Sequence, residues 1–277
     1  MNDIPYLLRG VQQIGTTSSV LVSSSPYLNH PRLREWVAMI LLRRNGPDLP
    51  PPAEMQEFPQ ILREIRDHDA IEALFHAERK INPQLDAWLT RRHLSHYKRE
   101  DFAHYAPGTV GGIYYRYLVD RNFEVELFPW REPETMLDYF EWRYLQTHDI
   151  EHILIGGSYD YMGELLPYWV RIANHFKTFS PKLAGELSVF HLFGSLRYTV
   201  RTMLHYPETW PTALSCIQRG IKVGETSDPF YFTNMEDIFH LPLAEARRVL
   251  GVRNAEDIDT GAVADIWAEH TKPGGYR

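Results

Sequence analysis

The segment from Glu134 to Ile155 carries both a helix start signal and a helix stop signal, and it constrains the fold more than any other part of the chain. Pro133 precedes the segment, and proline is favoured where a helix begins. Gly156 and Gly157 follow it, and glycine commonly ends a helix because it accepts a left-handed backbone conformation. Between these signals the apolar residues recur at steps of three and four, which predicts one long helix with a buried stripe.

Helical spacing of the apolar residues recurs along most of the 277-residue chain. Clean two-residue alternation, which is typical of a half-buried strand, is nearly absent. Besides the segment above, we predict helices over 31–44, 58–79, 83–96, 113–122, 161–176, 183–205, 209–220 and 241–250. This pattern predicts an all-α fold, a helical bundle formed by a single domain.

A stretch rich in helix-breaking residues divides the chain near its start. The sequence GPDLPPPAE at 46–54 predicts a linker because proline and glycine interrupt regular structure. We expect residues 1–54 to form an N-terminal arm and a helix that ends in this Pro-rich linker. Residues 55–252 are expected to form the helical core domain, and residues 253–277 a C-terminal helix and tail.

Composition excludes several classes of protein. The formal net charge is -7, so the chain lacks the basic surplus of a nucleic-acid-binding protein, and we expect no nucleic-acid partner. The single cysteine, Cys216, cannot form an intramolecular disulfide, which fits a reducing compartment. The N-terminus lacks the pattern of a secretory signal, and no run approaches the roughly 18 apolar residues of a transmembrane helix. We therefore expect a cytoplasmic protein whose contact with any membrane is apolar.

Two histidines lie on the buried stripe of the helix predicted over 134–155. Phe140, Tyr144, His148 and His152 follow one another at four-residue steps, so they line one side of that helix. Because the two aromatic residues mark this side as the apolar one, both imidazoles are expected to point inward. Side chains four residues apart lie one above the other, so the two imidazoles can converge on one ion.

Acidic residues accompany this histidine pair. Asp149 lies about 100° round the helix from His148, at the edge of the stripe. It can bind a metal directly, or it can orient a histidine through a hydrogen bond. Glu151 falls on the opposite side of the helix, where we expect it to be solvated. Glu164 begins the next predicted helix after the short loop GGSYDYMG, so we expect it to return to the level of the histidines.

Two imidazoles with one or two carboxylates form a ligand set that suits zinc, and equally iron, manganese or cobalt. The alternative is a pair of hydrogen-bonded core histidines, because a chain with 13 histidines yields such pairs by chance. The adjacent Asp149 and the Glu164 of the next helix favour the metal site. The pattern differs from the H-E-x-x-H motif of zinc proteases, in which a glutamate stands where this chain has Asp149.

Three blocks of the sequence resemble the coenzyme Q biosynthesis protein 4 family. The first block is H-D-x-x-H, here His148 to His152, followed after eleven residues by the glutamate of the Gly163-Glu164 pair. The second is APGTVGGIYYRYL at 106–118, which is similar to the Gly-x-Leu-Gly-x-x-Tyr turn and helix of the family. The third covers 213–252 and contains a Leu-Pro-Leu-x-x-x-Arg helix that ends in Leu-Gly.

The resemblance implies an α-helical fold with a divalent-metal site at His148, Asp149, His152 and Glu164, for which zinc is the first candidate. It also implies an apolar channel for a polyprenyl chain, peripheral contact with a membrane, and association with other quinone-biosynthesis proteins. The activity attached to the family is removal of the ring carboxylate from a polyprenylated 4-hydroxybenzoate, with hydroxyl taking its place in the oxidative version.

From these observations we predict a ubiquinone-biosynthesis enzyme, a metal-dependent decarboxylase in which Asp149 and Glu164 are the catalytic carboxylates. The alternative is a non-catalytic scaffold that binds the lipid and holds a structural metal. In either case we expect a homo-oligomer and an apolar lipid-binding cavity. The helices over 134–155, 161–176 and 187–205 should wall this cavity, which should open near the metal.

Four residues stand out against their predicted helices. Pro167 follows Glu164 by three residues, where it is tolerated only in a first helical turn. Arg143, Arg197 and Arg201 lie in otherwise apolar helices, and a buried guanidinium requires a compensating partner. For all three arginines we expect internal ion pairs rather than contacts with a substrate carboxylate.

Overall fold

Residues 22–42, 51–125 and 130–269 are described by the computed structural model of the chain. The structure is 70% helical, and within these ranges it contains no β-strand. The helices in chain order are α1 (Pro26–Asn29), α2 (Pro31–Leu41), α3 (Pro51–Ile65), α4 (His68–Arg79), α5 (Pro83–Arg91), α6 (Val110–Arg121), α7 (Met136–Ile155), α8 (Leu165–Thr178), α9 (Pro181–His205), α10 (Trp210–Thr226), α11 (Leu243–Val249) and α12 (Gly261–Glu269). The predicted all-α fold with a single helical domain is confirmed.

Several predicted boundaries shift in the structure. Helix α3 begins at Pro51, inside the stretch that we predicted as a linker, and the helix predicted over 58–79 is two helices, α3 and α4. The predicted N-terminal arm falls mostly on residues 1–21, which lie outside the described residues. Helix α8 begins at Leu165, so Pro167 lies in its first turn, where proline is tolerated. Within the described ranges no helix is long and apolar enough to cross a lipid bilayer.

The start of α7 is fixed by side chains from two places. The Thr135 hydroxyl accepts a hydrogen bond from the Asp138 amide at 3.0 Å, which is a helix N-cap. The Glu72 carboxylate of α4 accepts from the backbone amides of Met136 at 3.2 Å and Leu137 at 3.0 Å. These bonds satisfy backbone donors that have no partner inside the helix. A negative charge at this end also opposes the positive end of the helix dipole.

The C-terminal end of α7 is held by an arginine of α11. The Arg247 guanidinium donates to the carbonyl oxygens of Leu154 at 2.9 Å and Ile153 at 3.1 Å, and it also contacts the Asp257 carboxylate at 3.1 Å. A cation at the end of a helix stabilises the carbonyl groups that lack an intrahelical partner. Arg247 is the arginine of the Leu-Pro-Leu-x-x-x-Arg block, so this block positions the helix that carries the two histidines.

The second block contacts the third directly. At the start of α6, the Val110 amide donates to the Leu241 carbonyl at 3.0 Å, and the Gly111 amide donates to the Phe239 carbonyl at 2.9 Å. Apolar side chains of both blocks share one core cluster with the last turns of α7. The three sequence blocks therefore form one contiguous unit around the C-terminal half of α7.

Glu151 is buried, so the prediction that it is solvated is wrong. Its side chain is 1% exposed, and its carboxylate accepts from Arg171 Nε at 2.9 Å and from the Thr147 hydroxyl at 2.6 Å. Arg171 belongs to α8 and lies with its guanidinium carbon 4.0 Å from the centre of the Tyr231 ring. The prediction failed because α7 is buried on nearly all sides: α8 covers the side that amphipathic spacing assigns to solvent.

We expected the buried arginines to form internal ion pairs, and Arg143 forms none with the described residues. Arg143 donates to the Ser95 hydroxyl at 2.7 Å and to Gln146 Oε1 at 2.8 Å, and its partners among the described residues are neutral. Arg197 is also buried, and its guanidinium carbon lies 5.7 Å from the Tyr161 ring centre. The Arg143 site therefore stabilises a buried charge with dipoles of neutral groups rather than with an ion pair.

Removal of the Glu151 charge tests the role of the buried pair. In Glu151→Gln, Arg171 keeps its burial and loses its anionic partner, so the free energy of unfolding should fall by about 3–5 kcal/mol. Urea denaturation followed by circular dichroism measures this change. The matched control is Glu245→Gln, which breaks a solvent-exposed pair with Arg248 and should leave the denaturation midpoint unchanged. Equal midpoints for Glu151→Gln and wild type would contradict the stabilising role.

Candidate metal centre

A tight loop returns the chain from the end of α7 to the start of α8. Gly156 ends α7 with a φ of 80°, a left-handed conformation that favours glycine. The Asp160 carboxylate accepts from the Gly163 amide at 2.9 Å and stabilises the turn. A β-carbon at Gly163 would lie 2.0 Å from the Ser158 carbonyl oxygen, so only glycine allows this close approach. The result is that Glu164 returns to the histidine side of α7.

Three side chains converge between α7 and α8. His148 Nε2 lies 3.1 Å from Glu164 Oε2, and His152 Nε2 lies 3.5 Å from Glu164 Oε1. The two Nε2 atoms of the histidines are 3.3 Å apart. His152 is fully buried, whereas the other two side chains are partly covered. These three residues are called the trio below.

The trio fits a divalent ion. Bonds of about 2.0–2.1 Å at tetrahedral angles place neighbouring ligand atoms roughly 3.3–3.4 Å apart. The Nε2–Nε2 distance of 3.3 Å lies at this value, and each Nε2 lies 3.1 to 3.5 Å from one of the two Glu164 oxygens, Oε2 for His148 and Oε1 for His152. Two histidines with one glutamate also form an established ligand set of catalytic zinc sites. Both Nδ1 atoms are buried and have no hydrogen-bond partner in the described part of the chain.

Without an ion, the trio forms a buried charge pair. Burial opposes the charged form of His148, but the adjacent Glu164 carboxylate outweighs it and raises the His148 pKa to about 9. Burial likewise opposes ionisation of Glu164, but the two imidazoles outweigh it and hold the pKa of that carboxyl well below its usual range. Without a metal, His148 is therefore protonated and Glu164 is ionised. The ionised carboxylate can bind a cation, which would take the place of the proton.

Asp149 lies beside the trio rather than within it. The ligand atoms that come together belong to His148, His152 and Glu164. Burial raises the pKa of Asp149, and the two imidazoles oppose this rise. The carboxyl group is therefore close enough to both rings for an electrostatic interaction. The Tyr114 hydroxyl lies next to it. Direct binding of a metal by Asp149 stays a prediction, and the structure places this residue where it can orient the histidines.

Aromatic rings close the site on the side of the α7–α8 loop. Tyr159 stacks on His152 with ring centres 5.0 Å apart, and on Tyr117 of α6 with ring centres 3.5 Å apart. The Tyr159 hydroxyl donates to the Asp149 backbone carbonyl at 2.8 Å. We did not predict this stack. The only sequence signal for it is the excess of tyrosine in the second block and in the loop.

A cavity of about 330 Å³ lies one helical turn from the trio. It is lined by α3, α7 and α9, with Arg131 at its edge: Pro59, Gln60, Arg63, Arg131, Phe140, Glu141, Trp142, Tyr144, Leu145, Leu187, Phe190 and His191. Tyr144 belongs to its wall and also contacts His148, with ring centres 5.2 Å apart. Two of the three predicted walls, α7 and α9, line this cavity. The third predicted wall, 161–176, contributes no lining residue, and α3 takes its place.

Comparison with known proteins supports the fold and leaves the family open. No family model and no curated protein sequence matches the chain. Among solved structures, the chain matches a "putative ubiquinone biosynthesis protein" from Nostoc punctiforme PCC 73102 with a TM-score of 0.60 and 18% sequence identity. The match covers 79% of this chain and 96% of that chain. The two proteins therefore share a fold over most of their length.

Metal analysis tests the trio. We expect about one divalent ion per wild-type chain after dialysis against zinc, and loss of that ion in His148→Ala and in His152→Ala, because each change removes one imidazole ligand. Inductively coupled plasma mass spectrometry measures the ratio. His175→Ala is the matched control, since His175 is a buried helical histidine that bonds Ser188 away from the trio. Unchanged zinc content in both trio variants would remove the site.

Proposed function

We propose that the protein acts in ubiquinone biosynthesis on the head group of a polyprenylated 4-hydroxybenzoate and removes the carboxylate from ring carbon 1. The observation that carries the proposal is the trio of ligand atoms one helical turn along α7 from an aromatic-lined cavity, whose lining includes Tyr144 and none of the trio. Two further findings support it. The three sequence blocks resemble a ubiquinone-biosynthesis family, and a protein that shares the fold bears a ubiquinone-biosynthesis name.

In this proposal His148, His152 and Glu164 hold one divalent ion, with zinc as the first candidate and iron, manganese or cobalt as alternatives. When bound, such an ion supplies a Lewis acid for the substrate carboxylate. Glu164 comes from a different helix than the two histidines, so it couples the ion to the geometry of the α7–α8 loop. Asp149 would hold the imidazoles in orientation from the side.

The number of ligands favours an enzyme over the scaffold alternative. A structural zinc site is saturated by four protein ligands, whereas a catalytic site has three and keeps one position for substrate or water. The described residues bring together three ligand atoms, from His148, His152 and Glu164. A substrate carboxylate has the charge and the oxygen donors to occupy the remaining position.

The cavity suits the apolar part of this substrate. Phe140, Leu187 and Phe190 belong to its wall, and each CH₂ that leaves water for such a wall contributes about 0.8 kcal/mol. The aromatic ring of the substrate and its first isoprene units would lie in the cavity. The rest of the polyprenyl tail would extend beyond the cavity. Peripheral contact with a membrane, other quinone-biosynthesis proteins and a homo-oligomeric state form part of the proposal.

The chemistry requires a ring rich in electrons. The hydroxyl group donates electron density to the opposite ring position, so a proton can add to ring carbon 1. The bond between that carbon and the carboxyl group then breaks, carbon dioxide leaves, and the electron pair of the broken bond restores the aromatic ring. In the oxidative version two electrons pass from the substrate to dioxygen, so that the acid, dioxygen and one water give, in sum, the ring with hydroxyl in place of the carboxyl group, carbon dioxide and hydrogen peroxide. The protein contributes orientation and exclusion of water through its buried aromatic wall.

Turnover of Glu164→Gln tests the proposal. Glutamine keeps the shape and one acceptor oxygen of glutamate and removes the charge, so decarboxylation should fall by orders of magnitude while lipid binding survives. Release of carbon dioxide from a carboxyl-labelled prenylated substrate measures turnover. Asp149→Asn is the graded comparison, with an expected loss of about 10- to 100-fold.

The scaffold alternative predicts a different outcome. A scaffold variant with Glu164→Gln would lose metal binding and lipid binding together, because the helix pair loosens. If metal-loaded wild type with bound substrate shows no turnover with or without dioxygen, the scaffold should replace the enzyme.

A further inference from the structure

His191 of α9 is a buried histidine in the cavity wall, and no residue in the described ranges hydrogen-bonds its side chain. Its side chain belongs to the lining of the cavity, and the residue is 3% exposed. Its Nδ1 is buried without a partner, and no residue of the described ranges bonds to its Nε2. Buried polar side chains are nearly always hydrogen-bonded, so an unpartnered imidazole at a cavity offers a hydrogen-bond position to a molecule bound there.

The imidazole of His191 is neutral near pH 7. Burial lowers its pKa well below the ordinary value, and the neighbouring His175 and Arg171 act in the same direction. A neutral imidazole offers one N–H donor and one acceptor nitrogen. It therefore suits a neutral hydroxyl group, which can donate or accept, better than it suits an isolated carboxylate.

The surroundings of His191 favour a flat ring. Its ring centre lies 4.7 Å from that of Tyr144 and 5.5 Å from that of Phe190, both in edge-to-face geometry. The charged residues of the cavity lining have partners of their own, since Arg63 and Arg131 pair with Asp138, and Glu141 pairs with Arg66. Among the groups that line the cavity, His191 thus offers a neutral polar contact within an aromatic wall.

Tyr144 connects this contact with the trio. The same ring lies near both His148 and His191, at centre distances of 5.2 Å and 4.7 Å. A substituted benzene ring whose carboxylate lies at the trio can therefore pack against Tyr144 and direct its opposite substituent to His191. In a 3-prenyl-4-hydroxybenzoate that opposite substituent is the hydroxyl group, and the prenyl chain is on the adjacent carbon, toward the cavity.

We propose that His191 is a specificity-determining residue that hydrogen-bonds the phenolic hydroxyl of the substrate, at the end of the ring opposite the carboxylate. The inference rests on the proposed function, because it assigns the second end of the same ring. It predicts that the protein distinguishes a hydroxylated ring from an otherwise identical ring without the hydroxyl group.

Calorimetry with three synthetic ligands on the zinc-loaded full chain tests the inference. The ligands are 3-farnesyl-4-hydroxybenzoate, 3-farnesylbenzoate without the hydroxyl group, and 2-farnesylphenol without the carboxylate. Wild type should bind the first about fivefold more tightly than the second, which is the effect of one neutral hydrogen bond. In His191→Phe this preference should vanish, whereas His191→Gln, which keeps a donor and an acceptor, should retain part of it. Leu187→Ala is the matched control and should weaken both ligands equally.

The outcomes separate the inference from the proposed function. Equal affinity of wild type for the first two ligands would mean that His191 binds only water. An unchanged preference in His191→Phe would mean that another residue binds the hydroxyl group. Either result overturns the inference. Equal binding of the first and third ligands would instead overturn the proposed position of the carboxylate. Failure of all three ligands to bind would overturn both. Thermal melting of each variant verifies that it is folded. If His191→Phe does not fold, the preference for the hydroxylated ligand is measured in His191→Gln instead.

Discussion

The burial of α7 is the constraint on which the rest of the structure depends. This helix is covered on nearly all sides, yet it carries charged side chains whose burial is costly unless other groups compensate the charge. Arg171 of α8 neutralises Glu151, and Glu164 at the start of α8 meets the two histidines. Arg247 of α11 satisfies the last carbonyl groups. The positions of α8 and α11 therefore follow from the polar groups of one helix as much as from its apolar ones.

The same constraint produces the candidate site. A carboxylate that is held beside two imidazoles, in a region from which water is largely excluded, binds either a proton or a metal ion in the space between them. The cavity begins one helical turn earlier on the same helix and shares Tyr144 with the site. A single stripe of α7 thus joins the trio to an apolar space, which is the combination that the proposed substrate, a prenylated aromatic acid, requires.

Local signals in the sequence predicted the fold class, the ends of α7 and the convergence of the histidines with Glu164. These features depend on spacing within one helix and one short loop, so nearby residues determine them. The burial of Glu151, the neutral partners of Arg143 and the use of α3 as a cavity wall were not predicted. Each of them depends on an element distant in the sequence, and helical periodicity contains no information about such partners. Direct metal binding by Asp149 stays a prediction.

X-ray absorption spectroscopy at the zinc edge of the zinc-loaded protein tests the central claim most directly, because it reports the atoms around the ion without assuming a structure. We expect about two imidazole ligands per zinc, recognised by their outer-ring scattering, with zinc–nitrogen distances of about 2.0–2.1 Å and additional oxygen ligands. A spectrum that shows zinc surrounded by oxygen alone, without an imidazole contribution, would contradict the account.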